Sequence, residues 1–141
     1  MINQLVNSVR AASGIALLAA ACVAASPSEY VNPLIGTDEH GHVYPGATVP
    51  YGMIQLSPDT RIDTWDGCSG YHYSDKSIMG FSHNHLTGTG CGDLGNVLLM
   101  PTVGPVKLAP GKNPGEGYRS SYLHKDEVAR PGYYRVLLQD Y

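Results

Sequence analysis

Glycine and proline interrupt this sequence so often that a long helix has little room to form. The 141 residues include 17 Gly and 10 Pro, and beyond position 26 one of the two recurs every few residues. Both residues destabilise helix interiors and favour turns, so this spacing predicts short strands joined by loops. Ten Tyr against one Phe and one Trp are typical of half-buried strands. The sequence therefore predicts an all-β domain.

Short apolar runs bounded by turn residues mark the predicted strands. These runs are residues 52–56, 78–81, 96–100, 103–108 and 133–138, and we expect several of them to form an antiparallel sheet. The Gly- and Pro-rich residues 109–117 predict a surface loop, after which residues 118–123 re-enter a sheet. Because the last run stops three residues before the chain ends, we expect the fold to be incomplete at its C-terminal end.

Residues 1–25 predict a cleaved signal peptide. Arg10 supplies a positive flank, residues 11–25 are almost wholly apolar, and small residues precede Ser26. The apolar run is shorter than the roughly 20 residues that span a bilayer, which argues against a transmembrane helix. We therefore expect residues 26–141 to form an exported domain, either periplasmic or extracellular.

The cysteines leave two questions open. Cys22 follows three alanines and resembles a bacterial lipoprotein box, so a lipid anchor through Cys22 is an alternative to release. After cleavage only Cys68 and Cys91 remain, and two cysteines in an oxidising compartment can form a disulfide. The sequence does not show whether they meet.

The charge of the chain argues against nucleic acid as a partner. The formal net charge is -3, with nine Lys and Arg in total. These nine residues are scattered and form no basic stripe that could neutralise phosphates.

Histidines occur as His-x-His pairs at two places. His40 and His42 form one pair, and His83 and His85 form the other, with Asp93 further along the chain. Such pairs can bind zinc or iron, although no third ligand follows in tight spacing. Alternatively, each histidine donates a hydrogen bond within a Gly-rich turn. The glycines, hydroxyls and imidazoles of residues 82–93 would also fit a polyhydroxylated ligand.

The only Trp, Trp65, lies in a polar, Gly-punctuated segment with Asp66 beside it. A buried indole in the core is one interpretation. The other is an indole exposed in a cleft, where it stacks on a sugar ring while Asp66 accepts hydrogen bonds from hydroxyl groups. Composition alone does not choose between the two.

Several blocks of sequence resemble glycoside hydrolase family 92. The first are VNPLIGT at 31–37 and HGHVYPGATVPYGM at 40–53, and further blocks follow in the family's order at 55–60, 68–75 and 131–134. The resemblance implies an N-terminal β-sandwich of the galactose-mutarotase-like supersandwich type. In intact members of the family, an (α/α)6 catalytic domain follows it.

The same resemblance implies a function. Members of the family are calcium-dependent, exo-acting and inverting α-mannosidases that act on mannose-containing glycans. Their catalytic acid, base and calcium ligands lie mainly in the following domain, so we assign no catalytic residue and no metal ligand to this chain and expect it to be inactive alone. By resemblance, Trp65 and Asp66 are the first candidates for sugar contact, followed by His83, His85 and Asp93. The alternative function is a free-standing, secreted carbohydrate-binding module without catalysis.

Overall fold

The computed structural model describes residues 25–48, 52–88, 90–92 and 95–141. Residues 1–24 of the predicted signal peptide, including Cys22, lie outside this range, as does Asp93. The chain divides into two units, Met1–Tyr30 and Val31–Tyr141. In the first, Pro27–Tyr30 forms one turn of 3-10 helix without buried residues. Every strand described lies in the second unit.

The second unit is built from short antiparallel strands. In chain order they are β1 (Ala47–Thr48), β2 (Gln55–Asp59), β3 (Ser77–Ile78), β4 (Gly80–Ser82), β5 (Leu98–Leu99), β6 (Ser120–Ser121), β7 (Val128–Arg130) and β8 (Tyr133–Arg135). One sheet has the order β1-β2-β4-β5, and the pairs β3-β6 and β7-β8 form two smaller sheets. Every pairing is antiparallel. The predicted all-β, antiparallel fold is confirmed.

Four predicted strands are present with altered ends. The run at 52–56 becomes β2, which begins at Gln55 and extends to Asp59. Pro58 is tolerated in this strand because the pairing of β2 with β1 ends at Leu56, so Pro58 pairs only with Phe81 of β4. The run at 78–81 is divided between β3 and β4 at Met79, whose N–H donates to the carbonyl oxygen of Asp59. The runs at 96–100 and 133–138 are shortened to β5 and β8.

The strand predicted at 103–108 is wrong. Gly104 has a φ of 93°, which breaks an extended backbone, and Leu108 is 93% exposed. The loop predicted at 109–117 is confirmed, and β6 lies within the predicted run 118–123. Strands β1 and β7 were not predicted, because neither carries an apolar run of strand length.

The core is small and rich in tyrosine. Tyr71, Ile78 and Tyr122 are buried at its centre, and partly buried apolar side chains pack around them, namely Leu34, Tyr73, Phe81, Val136 and Leu138. Tyr71 and Tyr134 both donate to Glu127 Oε1, over 2.9 and 2.6 Å. Burial raises the pKa of the Tyr71, Tyr122 and Tyr134 hydroxyls above the ordinary value. The abundance of tyrosine thus supplies buried rings together with donors for a buried carboxylate.

Across the ranges that the structure describes, no helix has the length and apolarity needed to cross a membrane.

Candidate functional site

The first of three loops carries His40 and His42, and hydrogen bonds from residues 72–74 hold it in place. Tyr73 N–H donates to the carbonyl oxygen of Thr37 over 2.8 Å. Ser74 N–H donates to His72 Nδ1, so His72 Nε2 carries the hydrogen and donates to the carbonyl oxygen of Glu39 over 3.0 Å. Glu39 and His42 have φ values of 49° and 50°, an unusual conformation that these contacts hold in place.

The second loop, residues 61–70, carries Trp65 and Asp66. It is closed at its base, where the N–H groups of Thr60 and Arg61 both donate to the carbonyl oxygen of Gly70, over 2.7 and 3.3 Å. The guanidinium of Arg61 also binds both carboxylate oxygens of Asp75. Such a bidentate pair fixes the direction in which the loop leaves the sheet.

The third loop follows β4, includes Gly88 and Gly90, and packs against the other two loops. Gly88 N–H donates to the carbonyl oxygen of His42 over 2.8 Å. Gly90, with a φ of 68°, lies so close to the indole that a Cβ atom there would be 2.8 Å from Trp65 Nε1. Only glycine allows the backbone to approach the ring this closely.

The three loops bring together Trp65, Asp66, His40 and His42, which we call the Trp65 platform. The indole is 58% exposed. The ring of His42 meets it edge-on with centroids 4.3 Å apart, and the ring of His40 lies tilted at 5.1 Å. His40 Nδ1 donates to Asp66 Oδ1 over 2.6 Å. The platform is therefore an open aromatic surface bordered by one carboxylate and two imidazoles.

Two polar atoms of the platform are suited to bind a ligand. The hydrogen bond from His40 lowers the pKa of Asp66, with smaller contributions from His72 and His42, so Asp66 is an ionised acceptor at neutral pH. His42 Nε2 is buried without a hydrogen-bond partner among the described residues and lies 3.9 Å from Asp66 Oδ1. A buried polar atom without a partner is costly unless a ligand or water satisfies it.

The predicted site residues are only partly brought together. Trp65 and Asp66 adjoin, and the exposure of the indole favours the cleft interpretation of Trp65 over the core interpretation. His85 is instead 3% exposed and bonded to the carboxylate of Asp59. His83 is exposed, and its backbone carbonyl accepts from Gln55 N–H. Asp93 lies outside the described residues, so its role stays a prediction.

His40 and His42 are the site residues that the sequence analysis did not select as sugar contacts. Their signal was Gly41 between them, where a Cβ atom would be 2.0 Å from the carbonyl oxygen of Gly36. Such a tight turn allows neighbouring side chains to converge on one ligand. The sequence alone did not reveal that their common neighbour is Trp65.

The described residues do not fit a calcium ion. Calcium takes six to eight oxygen ligands, whereas the platform offers the carboxylate of Asp66 between imidazoles. No cluster of three or more His, Cys, Asp or Glu side chains within the described ranges is arranged to hold a metal. Cys68 is buried and Cys91 is exposed. Their pairing in the oxidised protein stays a prediction.

The described part of the chain is thus an antiparallel β domain that presents an exposed indole beside a carboxylate and two imidazoles. The glycosyl hydrolase family 92 N-terminal domain matches residues 30–141. The chain belongs to this family, and its architecture is the family's N-terminal β-sandwich. The resemblance and the fold class expected from the sequence are confirmed.

Known relatives agree with this assignment. The chain is similar to the family 92 α-mannosidase BT3965 of Bacteroides thetaiotaomicron, solved with mannoimidazole, with 52% identity and a TM-score of 0.77 over 81% of this chain. It is also similar to the family 92 glycosyl hydrolase ccman5, with 30% identity and a TM-score of 0.67 over 80% of this chain. An uncharacterized secreted glycosidase of Arthroderma benhamiae is 34% identical over 113 residues, or 79% of this chain. The chain spans 15%, 14% and 14% of these proteins, respectively.

Proposed function

We propose that this chain is the sugar-contacting N-terminal domain of an exo-acting, inverting α-mannosidase that hydrolyses terminal α-mannosides of glycans. The observation that carries the proposal is the Trp65 platform, in which an exposed indole adjoins an ionised carboxylate and an imidazole nitrogen without a partner. The similarity to BT3965, which was solved with mannoimidazole, supports mannose as the sugar.

Each group of the platform has a distinct role in binding a pyranose. The indole of Trp65 stacks on the apolar C–H face of the ring, which contributes roughly 0.5–1.5 kcal/mol beyond area burial. Asp66 accepts hydrogen bonds from sugar hydroxyls through the carboxylate lone pairs that the bond from His40 does not use. The ring of His42 packs edge-on against the indole and holds the stacking surface in place.

Catalysis is assigned by this proposal to another part of the parent enzyme. Inversion requires two carboxyl groups roughly 6.5–9.5 Å apart, one acting as acid and the other as base. The platform has one carboxylate, Asp66, and that group is held by His40. From the resemblance to family 92 we place the acid, the base and most of the calcium ligands in an (α/α)6 catalytic domain of the parent enzyme, and we expect residues 26–141 alone to bind sugar without cleaving it.

Export is part of the same proposal. The relative from Arthroderma benhamiae carries the name of a secreted glycosidase, and residues 1–25 have the pattern of a signal peptide. The domain would then work in the periplasm or outside the cell. Mass spectrometry of the mature N-terminus tests this, because cleavage before Ser26 indicates a soluble product and a lipid-modified Cys22 indicates an anchored one.

The direct test of sugar binding uses the single tryptophan as its probe. Methyl α-D-mannopyranoside is expected to change the fluorescence of Trp65 in a saturable way, and methyl α-D-galactopyranoside is the matched control. Trp65→Ala, followed by calorimetry, is expected to lower the affinity about tenfold through lost stacking. Equal responses to both sugars, or an affinity that Trp65→Ala leaves unchanged, would contradict the proposed site.

The test of catalysis separates the enzyme from a carbohydrate-binding module. The complete reading frame that encodes this chain is expressed and assayed with an aryl α-mannoside, and the anomer released first is identified by NMR. Release of β-mannose is expected from an inverting enzyme. Sugar binding without turnover would instead favour the free-standing module.

A further inference from the structure

A buried hydrogen-bonded pair, His85 and Asp59, lies at the base of the loop that carries Trp65. His85 Nε2 is 2.8 Å from Asp59 Oδ1, and both side chains are almost fully buried. His85 Nδ1 donates to the carbonyl oxygen of Gln55 over 2.6 Å, and Ser82 Oγ lies 3.1 Å from Nε2. Partners on β2 and β4 thus fix the orientation of the imidazole.

Gly70 connects this pair to the loop. A Cβ atom at position 70 would be 2.3 Å from Asp59 Oδ1 and 2.9 Å from His85 Nε2, so the backbone of Gly70 lies directly on the pair. The carbonyl oxygen of Gly70 also accepts the hydrogen bonds from Thr60 and Arg61 that close the loop. One end of the loop, Gly70, therefore lies against Asp59 and His85, and the other end follows Asp59 closely in the chain.

A series of hydrogen-bonded turns connects Gly70, at the base of the loop, to Trp65 in the platform. Gly70 N–H donates to Gly67, Gly67 N–H to Thr64, and Cys68 N–H to Trp65, each over 2.9–3.3 Å. These consecutive turns leave few rotatable links between Gly70 and Trp65. A displacement of Gly70 is expected to move the indole and Asp66 together.

We propose that Asp59 and His85 are positioning residues that set the place of Trp65 and Asp66 in the sugar site. Direct contact between His85 and substrate is disfavoured, because the side chain is 3% exposed and both nitrogens have protein partners. A role in stability alone accounts poorly for the pair, because Asp59 Oδ2 is buried without a partner among the described residues and such a group is costly.

The test uses the whole chain labelled with 5-fluorotryptophan, because a single Trp gives a single fluorine NMR signal. Asp59→Asn and His85→Gln are expected to shift that signal and to raise the Kd for methyl α-D-mannopyranoside about tenfold or more, because small misplacements of binding groups are costly. Circular dichroism selects a temperature at which each variant is folded. Tyr134→Phe, which removes a buried hydrogen bond to Glu127, is the control and is expected to change neither quantity.

A lower melting temperature with an unmoved fluorine signal would show that the pair is only structural and would overturn the proposal. If Asp59→Asn and His85→Gln do not fold, Ser82→Ala takes their place, because it removes only the 3.1 Å contact to His85. Ser82→Ala is expected to give a smaller fluorine shift, and an unmoved signal would count against the proposal. The inference rests on the proposed function, but the two fail separately. If the wild type binds no mannoside, the proposed function is wrong, and the fluorine shift still decides whether the pair positions Trp65.

Discussion

His40 Nδ1 donates a 2.6 Å hydrogen bond to Asp66 Oδ1, although the two residues are 26 positions apart in the chain. The bond joins the first loop to the second, and it sets the ionisation of the carboxylate that borders Trp65. The platform therefore depends on how two loops pack against each other, and each loop has its own anchor, His72 for the first and Arg61 for the second.

Removing His40 is predicted to raise the pKa of Asp66. The folded-state pKa of Asp66 is lowered mainly by the bond from His40, so its contribution to stability is present above the unfolded pKa of about 3.9 and is lost as the pH falls through the folded value. Carbon-13 NMR of the Asp66 carboxyl group in wild type and His40→Ala measures the change. Glu116, whose pKa is lowered by Asn113, is the internal control and should not move.

Replacing Trp65 is predicted to weaken sugar binding far more than folding. The indole is more than half exposed, so Trp65→Ala should lower affinity for methyl α-D-mannopyranoside about tenfold through lost stacking, with little change in melting temperature. Ile78→Ala is the opposite control. Its fully buried side chain should cost about 2–5 kcal/mol of stability while the folded fraction keeps its affinity. A collapse of melting in Trp65→Ala would instead make Trp65 a packing residue.

The sequence predicted the all-β fold class well, because this class depends on the local spacing of turn residues along the chain. The spacing of Gly and Pro was enough to indicate short antiparallel strands. The strand predicted at 103–108 was wrong, because no strand among the described residues pairs with this segment and Gly104 turns the chain. Strand β7 was missed because its pairing with β8, not its own composition, makes it a strand.

The candidate site was only partly predictable for a related reason. Trp65 and Asp66 could be chosen from their polar, Gly-rich surroundings, which are local. His85 could not be excluded, because its burial depends on Asp59 and Gln55, which are 26 and 30 positions away. His40 and His42 were noticed as a pair, but only the fold places them against the indole.

Alkaline solution is predicted to destabilise the tyrosine core. Burial raises the folded-state pKa of Tyr71, Tyr122 and Tyr134, so stability is complete below the unfolded pKa of about 10 and is lost as the pH rises above it. The loss is expected to reach about 1.4 kcal/mol per pH unit for each such tyrosine. Urea unfolding between pH 9 and 11 measures this slope.

Tyr134→Phe should make the alkaline slope shallower, because it removes one of these hydroxyls. Tyr133→Phe changes its neighbour on β8, which is half exposed, and is the matched control that should keep the wild-type slope. An unchanged slope in Tyr134→Phe would show that the hydroxyl does not stay protonated in the folded core.

Gly90→Ala is predicted to disturb the platform, and Gly88→Ala is its matched control in the same loop. The two glycines have nearly equal φ values of 68° and 69°, so an added methyl group strains the backbone alike at both. At Gly90 the new Cβ would lie 2.8 Å from Trp65 Nε1, whereas at Gly88 it would meet nothing within 4 Å. Both variants should therefore lose a similar amount of stability, about 1 kcal/mol. Only Gly90→Ala should also shift the emission of Trp65 and weaken mannoside binding. Equal effects of the two variants on Trp65 emission would show that backbone strain, and not contact with the indole, controls the position of the platform.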